Sequence, residues 1–259
     1  MLDLLLKYIL ALCTAMDIAN NTSPVLSAIN RNGVLRVGLT GDYAPYSFKT
    51  ENGEIIGADV IMAQSLADYL GVRLVIVETS WKKLTDDLTE NKFDIAMGGI
   101  SVNQKRAQYG YFSEPLITDG KRPIVRCEDA KKYTTIESMN KPNVRMVVNR
   151  GGTNHIFAIT HFKESSLTVV EDNRKVFKEI AENRADAMVT DGIEVELQSR
   201  HFSGILCPAR VAQPFNSFDK AYWMVKDDLF RDKVNEWLRY AKKLVWPSVL
   251  EKALSANYE

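Results

Sequence analysis

Phe93 to Leu116 reads FDIAMGGISVNQKRAQYGYFSEPL, and this stretch decides the fold. Phe93 to Met97 is a short apolar run, of the length expected of a buried strand. Gly98 and Gly99 then break it, which permits a sharp turn and a close approach of backbone to something bound. Ser101 offers a hydroxyl and a main-chain N–H at the start of a helical turn. Arg106 follows, and the aromatic pair Tyr111-Phe112 lies beyond it. A strand end, a glycine turn, a hydroxyl and a guanidinium together suit a carboxylate, whose two oxygens match the planar fork of arginine. The plainer alternative is a βα loop whose arginine is solvated.

Upstream, Gly33 to Leu39 reads as the first strand of a parallel-type sheet, followed by the aromatic and turn-rich loop Thr40 to Phe48. In open α/β folds, ligands gather outside the carboxyl ends of the strands. Tyr43, Tyr46 and Phe48 are therefore candidates for a wall against a ligand, although each could equally plug the core. Gly57 to Leu70 has helical apolar spacing with Gly71 as its C-cap. The strand Val72 to Val77 ends at Thr79-Ser80-Trp81, and Leu84 to Leu88 starts another helix. Trp81 stands either beside a ligand or in the core.

Downstream, Asp119 to Val125 enters a new strand, and a crossing at this point marks a move into a second lobe. The expected order is then a helix over Tyr133 to Met139, a strand over Val144 to Val148 and the loop Asn149 to Asn154. The glycines of that loop lead into a helix over Asn154 to Phe162 and would aim N–H groups at an anion. Leu167 to Val170 reads as a strand, Asp172 to Asn183 as a helix and Ala185 to Asp191 as a strand. Glu194 follows on the first turn. A carboxyl shielded from water there has a raised pKa and can serve as an acid. The bland alternative is a surface glutamate at a helix N-terminus. Phe218 to Val225 returns as one strand, and Leu229 to Leu244 is an amphipathic helix that packs on the first lobe. No internal repeat is visible.

The composition is that of a globular chain large enough for one big core or two modest ones: 259 residues, 46% apolar and 25% charged. Lysine and arginine equal aspartate and glutamate at 33 each, and no basic stripe stands out, which sets nucleic acid aside. The N-terminal MLDLLLKYILALCTAM is apolar but carries Asp3 and Lys7, and its apolar run is too short to span a bilayer. It reads as a degenerate secretory signal ending near Ala15 or Ala19, with a retained amphipathic helix as the alternative. Cys13 falls in that leader. Cys127 and Cys207 show no metal-ligand spacing and are either one disulfide in an exported protein or two inert thiols. The histidines at 155, 161 and 201 show no metal spacing, so no metal or cofactor is expected. No nucleophile elbow or P-loop is present.

From about Gly33 onward the chain resembles the periplasmic amino-acid-binding proteins, and within them the cyclohexadienyl dehydratases. The matching stretches are Thr40 to Tyr43, Thr79 to Trp81, Gly99 to Ser101, Asp119 to Lys121, Asn149 with Gly151 to Asn154, Thr190-Asp191 with Ile193-Glu194, Leu197 to Arg200 and Lys220 to Tyr222. The resemblance implies an α/β, two-lobed periplasmic binding protein type II fold with the ligand cleft between lobes. It divides the chain into a leader over 1–24, a first lobe from 25–121 and 219–259, and a second lobe over 122–218. It implies a carbon–oxygen lyase that removes water and carbon dioxide from prephenate or arogenate, giving phenylpyruvate or phenylalanine. The alternative is a binding protein that delivers an amino acid to a transporter.

On this resemblance Glu194 matches the general acid. Arg106, Lys121 and the amides near Thr153 match carboxylate clamps, Lys121 and Asn149 facing each other across a doubly anionic ligand. Ser101 and Asn149 match further polar contacts, and Tyr43 with Trp81 walls the ring. Cys127 and Cys207 match family cysteines, which implies a disulfide and a periplasmic or secreted protein without stable membrane insertion. His155 stands where relatives usually carry an acidic residue, and Gly192 where alanine is more usual. Self-association of the chain, as monomer or trimer-like assembly, stays open.

Overall fold

The computed structural model describes residues 22–256 and 258, so the expected leader lies almost wholly outside the described residues. The first helix, Pro24–Asn32, begins where the Ser23 hydroxyl accepts from the Leu26 N–H and ends at Gly33, whose φ of 64° is left-handed. That cap moves the strand start from the expected Gly33 to Val34. Five strands build the first sheet in the order β5 (Arg73–Glu78), β1 (Val34–Leu39), β6 (Ile95–Ala96), β15 (Trp223–Met224) and β7 (Tyr111–Phe112). The first three run parallel, and β15 is antiparallel to both neighbours. A small meander, β2 (Asp42–Tyr43), β3 (Ser47–Lys49) and β4 (Ile55–Ile56), precedes the helix Ala58–Leu70. That helix and Asp228–Leu244 bury Met62, Leu66, Trp237 and Leu238 with Leu35 and Val37 of β1.

The second sheet runs β11 (Ser166–Val170), β10 (Arg145–Asn149), β12 (Ala187–Asp191), β9 (Lys121–Arg126) and β13 (Leu206–Pro208). Again three parallel strands are followed by two antiparallel ones. The lobes are thus the same motif built twice, although the sequence shows no internal repeat. The duplication extends to side chains. In the first lobe Asp94 accepts from the Arg36 N–H and guanidinium, and Arg36 also donates to the Asn91 carbonyl. In the second lobe Asp186, Arg145 and Asn183 repeat this arrangement bond for bond. Both asparagines have positive φ, 55° and 59°. Each cluster ties the start of a strand to the start of its parallel neighbour, β1 to β6 in the first lobe and β10 to β12 in the second.

Two crossings join the lobes, and both break strands that the sequence suggested were continuous. Asp119 to Val125 divides at Gly120 into β8 (Ile117–Asp119) and β9. A Cβ at Gly120 would collide with the Asn216 carbonyl, so the turn needs glycine. Phe218 to Val225 divides into β14 (Phe218–Lys220), which pairs with β8, and β15 in the first sheet. The break turns Lys220 inward while Trp223 and Met224 stay in the core.

Cys127 and Cys207 form a disulfide beside β9 and β13. It closes a loop with a sequence separation of 80, for which chain entropy gives a stabilisation of roughly 4 kcal/mol. Replacing both cysteines by serine is expected to cost most of that, read as a fall in the urea midpoint with a steeper slope, because the unfolded chain loses its cross-link. An unchanged midpoint would mean that the bridge adds nothing to stability.

Candidate active site

The carboxyl ends of β1, β6, β10 and β12 meet between the two lobes, and the polar residues that follow them line one small cavity of about 20 Å³. Tyr43, Trp81, Gly99 and Ser101 come from the first lobe, and Asn149, Gly152, Thr153, Asn154, Asn173 and Asp191 from the second. Lys220 reaches in from the crossing. Five of the eight predicted site residues therefore line it: Tyr43, Trp81, Ser101, Asn149 and Thr153. Lys121, Arg106 and Glu194 stand immediately behind this wall.

Asp59 shapes the first-lobe side. Wholly buried on the helix Ala58–Leu70, it accepts from the Gly98 and Gly99 N–H groups at 2.7 and 3.0 Å and from the Tyr222 hydroxyl at 3.0 Å. Gly99, at φ 70°, lies so close to the Tyr43 and Tyr46 rings that a Cβ would meet them at 2.6–2.7 Å. The glycine turn thus lies against protein aromatics on that side. Tyr46 is a core residue, stacked on Trp246. Ser101 does not start a helix as its sequence suggested: it bridges to Lys220, and Asn103 caps the turn Gln104–Ala107. Asn outcompetes here because its carbonyl oxygen reaches the Arg106 N–H.

Arg106 is 7% exposed and donates from Nη1 to the Ser101 carbonyl, with its guanidinium 5.9 Å from the Trp81 ring. Among the described residues no carboxylate pairs with it. Burial lowers its pKa to about 10. A desolvated guanidinium with unspent donors is a receptor for an anion.

The centre of the site is Asp191, the last residue of β12. Lys121 and Lys220 hold one oxygen each, and the Tyr43 hydroxyl donates to the oxygen that Lys220 holds. Lys121 also donates to the Thr153 hydroxyl at 3.1 Å and to the Asn154 side chain. Both lysines are almost completely buried. Although burial opposes its charge, the two ammonium groups hold Asp191 well below the usual carboxylate range. Lys220 is lowered by burial, against the pull of Asp191. Lys121 is therefore not a bare clamp facing Asn149, as the sequence suggested. It is engaged by Asp191, while the Asn149 amide oxygen accepts from Asn154 at 3.3 Å.

Glu194 stands one turn after Asp191, on the helix Gly192–His201, and is 1% exposed. Asp119 fixes that helix start by accepting from the Gly192 and Ile193 N–H groups at 3.0 and 3.2 Å. A Cβ at Gly192 would lie 2.6 Å from the same carboxylate, which accounts for glycine there. The Glu194 carboxyl accepts from the Thr190 hydroxyl and, at 2.8 Å, from Asn173 Nδ2. Burial pushes its pKa up to about 8, the charge on Asp191 adding to the effect and the two hydrogen bonds restraining it. Glu194 is therefore mainly protonated at neutral pH. Asn173 lines the cavity and touches the acid, and Thr190 links the acid to Asn154 at 2.9 Å. His155 folds back on the glycine turn, its Nδ1 accepting from the Gly151 N–H at 3.2 Å.

Asp191, Lys220, Asn154 and Asn173 were not singled out from sequence. Asp191 had a signal, a carboxylate at the end of a mainly apolar strand, and Lys220 had a weaker one, a charge inside a stretch of strand composition. Asn173 had none, being one polar residue among many at a helix start.

Residues 35–244 match the family described as bacterial extracellular solute-binding proteins, family 3. A cyclohexadienyl dehydratase of Pseudomonas aeruginosa is 44% identical over 218 residues, 84% of this chain and 81% of that one. Among solved structures, an ancestral amino-acid-binding protein described as a precursor of cyclohexadienyl dehydratase superposes with a TM-score of 0.80 at 31% identity, over 90% of this chain and 100% of its own. An ancestral cyclohexadienyl dehydratase gives 0.56 at 43% identity, over 91% and 98%.

Proposed function

The chain belongs to the bacterial extracellular solute-binding proteins, family 3, and from that premise we propose that it is a cyclohexadienyl dehydratase acting on prephenate and arogenate. The observation that carries this reading is Glu194, a fully buried carboxyl beside a cationic cluster, where burial raises its pKa to about 8. Simple capture of an amino acid has no use for such a group. Arg106, Lys121 and Lys220 gather three cations around the Asp191 carboxylate, a setting suited to the two carboxylates of prephenate.

The lobes meet closely over the cavity, so they part to admit the substrate and close on it. Arg106, Lys121 and the amides at Thr153 then fix the carboxylates, and Tyr43 and Trp81 flank the ring. Glu194 protonates the departing ring hydroxyl. That C–O bond breaks to give water while the electrons of the C–CO₂ bond become ring π electrons, and carbon dioxide leaves. Holding both ends of the substrate aligns the two departing groups, so positioning supplies much of the acceleration. Family membership and the disulfide support a periplasmic location, where such a bond persists. Among the described residues no helix is long and apolar enough to cross a membrane.

The direct test is to mix purified protein with prephenate and follow phenylpyruvate absorbance. Silence in that assay, together with thermal stabilisation by amino acids, would favour the carrier reading. The acid also fixes a pH dependence. Turnover is expected to fall above about pH 8, where Glu194 loses its proton. Stability follows the same group: a folded pKa above the unfolded one contributes fully below the ordinary glutamate range and is lost as pH rises through about 8. A kcat profile flat to pH 10 would rule Glu194 out as the acid.

A further inference from the structure

Each turnover leaves Glu194 without its proton, because the O–H bond of the carboxyl breaks when the leaving hydroxyl becomes water. One proton per cycle must return from solvent. The substrate cavity is a poor route while product occupies it, and the acid sits behind its wall rather than in it.

A second cavity, of about 370 Å³, lies on the far side of Glu194. It is lined by Asp42 from the first lobe, by Asn173 at the start of the helix Asn173–Ala181, and by Glu194, Gln198 and His201 of the helix Gly192–His201. Glu194, Gln198 and His201 are four and then three residues apart, so they share one helix face. That face runs from a fully buried carboxyl to an exposed imidazole at the surface. Asn173 ties the two lobes together here, donating to Glu194 at 2.8 Å and to the Asp42 carbonyl at 3.0 Å. Among the described residues, two buried oxygens on this wall, Asp42 Oδ1 and Asn173 Oδ1, accept no hydrogen bond. Buried acceptors of this kind are satisfied by water that enters a polar cavity. The guanidinium groups that also border it are engaged elsewhere, Arg174 by Asp172 and Arg200 by Glu196. They do not hold an anion across the route.

We propose that Glu194 is reloaded with its proton through this second cavity, with Asp42 and His201 as the groups that pass protons between solvent and the buried acid. The proposal rests on Glu194 being the general acid. Asp42 suits the task by chemistry as well as place: burial raises its carboxyl to about 6, so it exchanges protons readily near neutral pH. Neither residue needs to touch the substrate.

The experiment compares two rates for Asp42→Asn and, separately, for the exposed-site variant His201→Gln. Steady-state turnover of prephenate requires reloading. A single turnover, measured by rapid quench with protein in excess, uses the proton already in place. For Asp42→Asn, steady-state kcat is expected to fall on the order of tenfold, less than loss of the acid itself costs. Its single-turnover rate and kcat/KM should stay within about twofold, KM falling with kcat because the slowed step follows chemistry, and imidazole buffer should restore part of the loss. His201→Gln should show the same pattern more weakly. The proposal is overturned if both rates fall together, which would make Asp42 structural, or if neither variant changes steady-state kcat. Full activity in Glu194→Gln would instead overturn the acid reading beneath it.

Discussion

Glu194→Gln is expected to lower kcat for prephenate by about 10²- to 10⁴-fold, the usual contribution of a positioned general acid. Binding of prephenate should survive within a few-fold. Glutamine keeps the volume and can still meet Asn173 and the Thr190 hydroxyl, the two groups that hold the native side chain. What it lacks is an acidic proton, since an amide N–H does not transfer at neutral pH. At pH 7 the substitution exchanges a neutral acid for a neutral amide, so the field of Lys121, Asp191 and Lys220 is nearly unchanged. Single-turnover kinetics for the rate and calorimetric titration with prephenate for affinity separate these effects. Retained turnover would remove the acid assignment. Lost binding with lost turnover would make Glu194 a scaffold for Asp191 instead.

Much of the architecture could be read from local pattern, because each lobe is made of short βα units with glycine or asparagine at their joints. The helix Ala58–Leu70 ends at Gly71 as its spacing suggested, and the strand before Gly98 is buried. The duplication was hidden because the conserved element is a geometry rather than a string. Asn91 to Asp94 and Asn183 to Asp186 share only their first and last residues, and each aspartate answers to an arginine far away in the chain. The broken crossings were hidden for a related reason. Phe218 to Val225 has strand composition throughout, and only tertiary pairing assigns its halves to different sheets.

The same limit applies to the site. The residue types needed for a dianion were visible one by one, but the pairing of both lysines with Asp191 was not. A lysine read alone looks like a free clamp. Residues 121, 191 and 220 reveal a shared charge cluster only once β9, β12 and β14 are placed together. Arg106 is the contrary case, since the sequence suggested an anion-binding arginine and, among the described residues, no carboxylate pairs with its charge.

That unpaired charge sets the second large expectation, for Arg106→Met. Affinity for prephenate should fall by about 10²-fold, since charge-assisted hydrogen bonds contribute roughly 1.5–3 kcal/mol each. Stability without ligand should hold or rise. The guanidinium is 7% exposed with the Ser101 carbonyl as its hydrogen-bond acceptor among the described residues, so the free protein keeps a poorly compensated cation out of water. Methionine fills similar apolar volume against Trp81 and removes that cost. The opposition of the two effects is what identifies a binding group, because a structural arginine would lose stability on substitution and leave affinity intact. Calorimetric titration in the Glu194→Gln background, where bound prephenate is not consumed, reads the first effect. Thermal melts of the unliganded protein read the second. If the melting temperature falls by several degrees while affinity is unchanged, Arg106 holds the Ser101 turn in place and the anion is bound by the Lys121, Asp191 and Lys220 cluster alone.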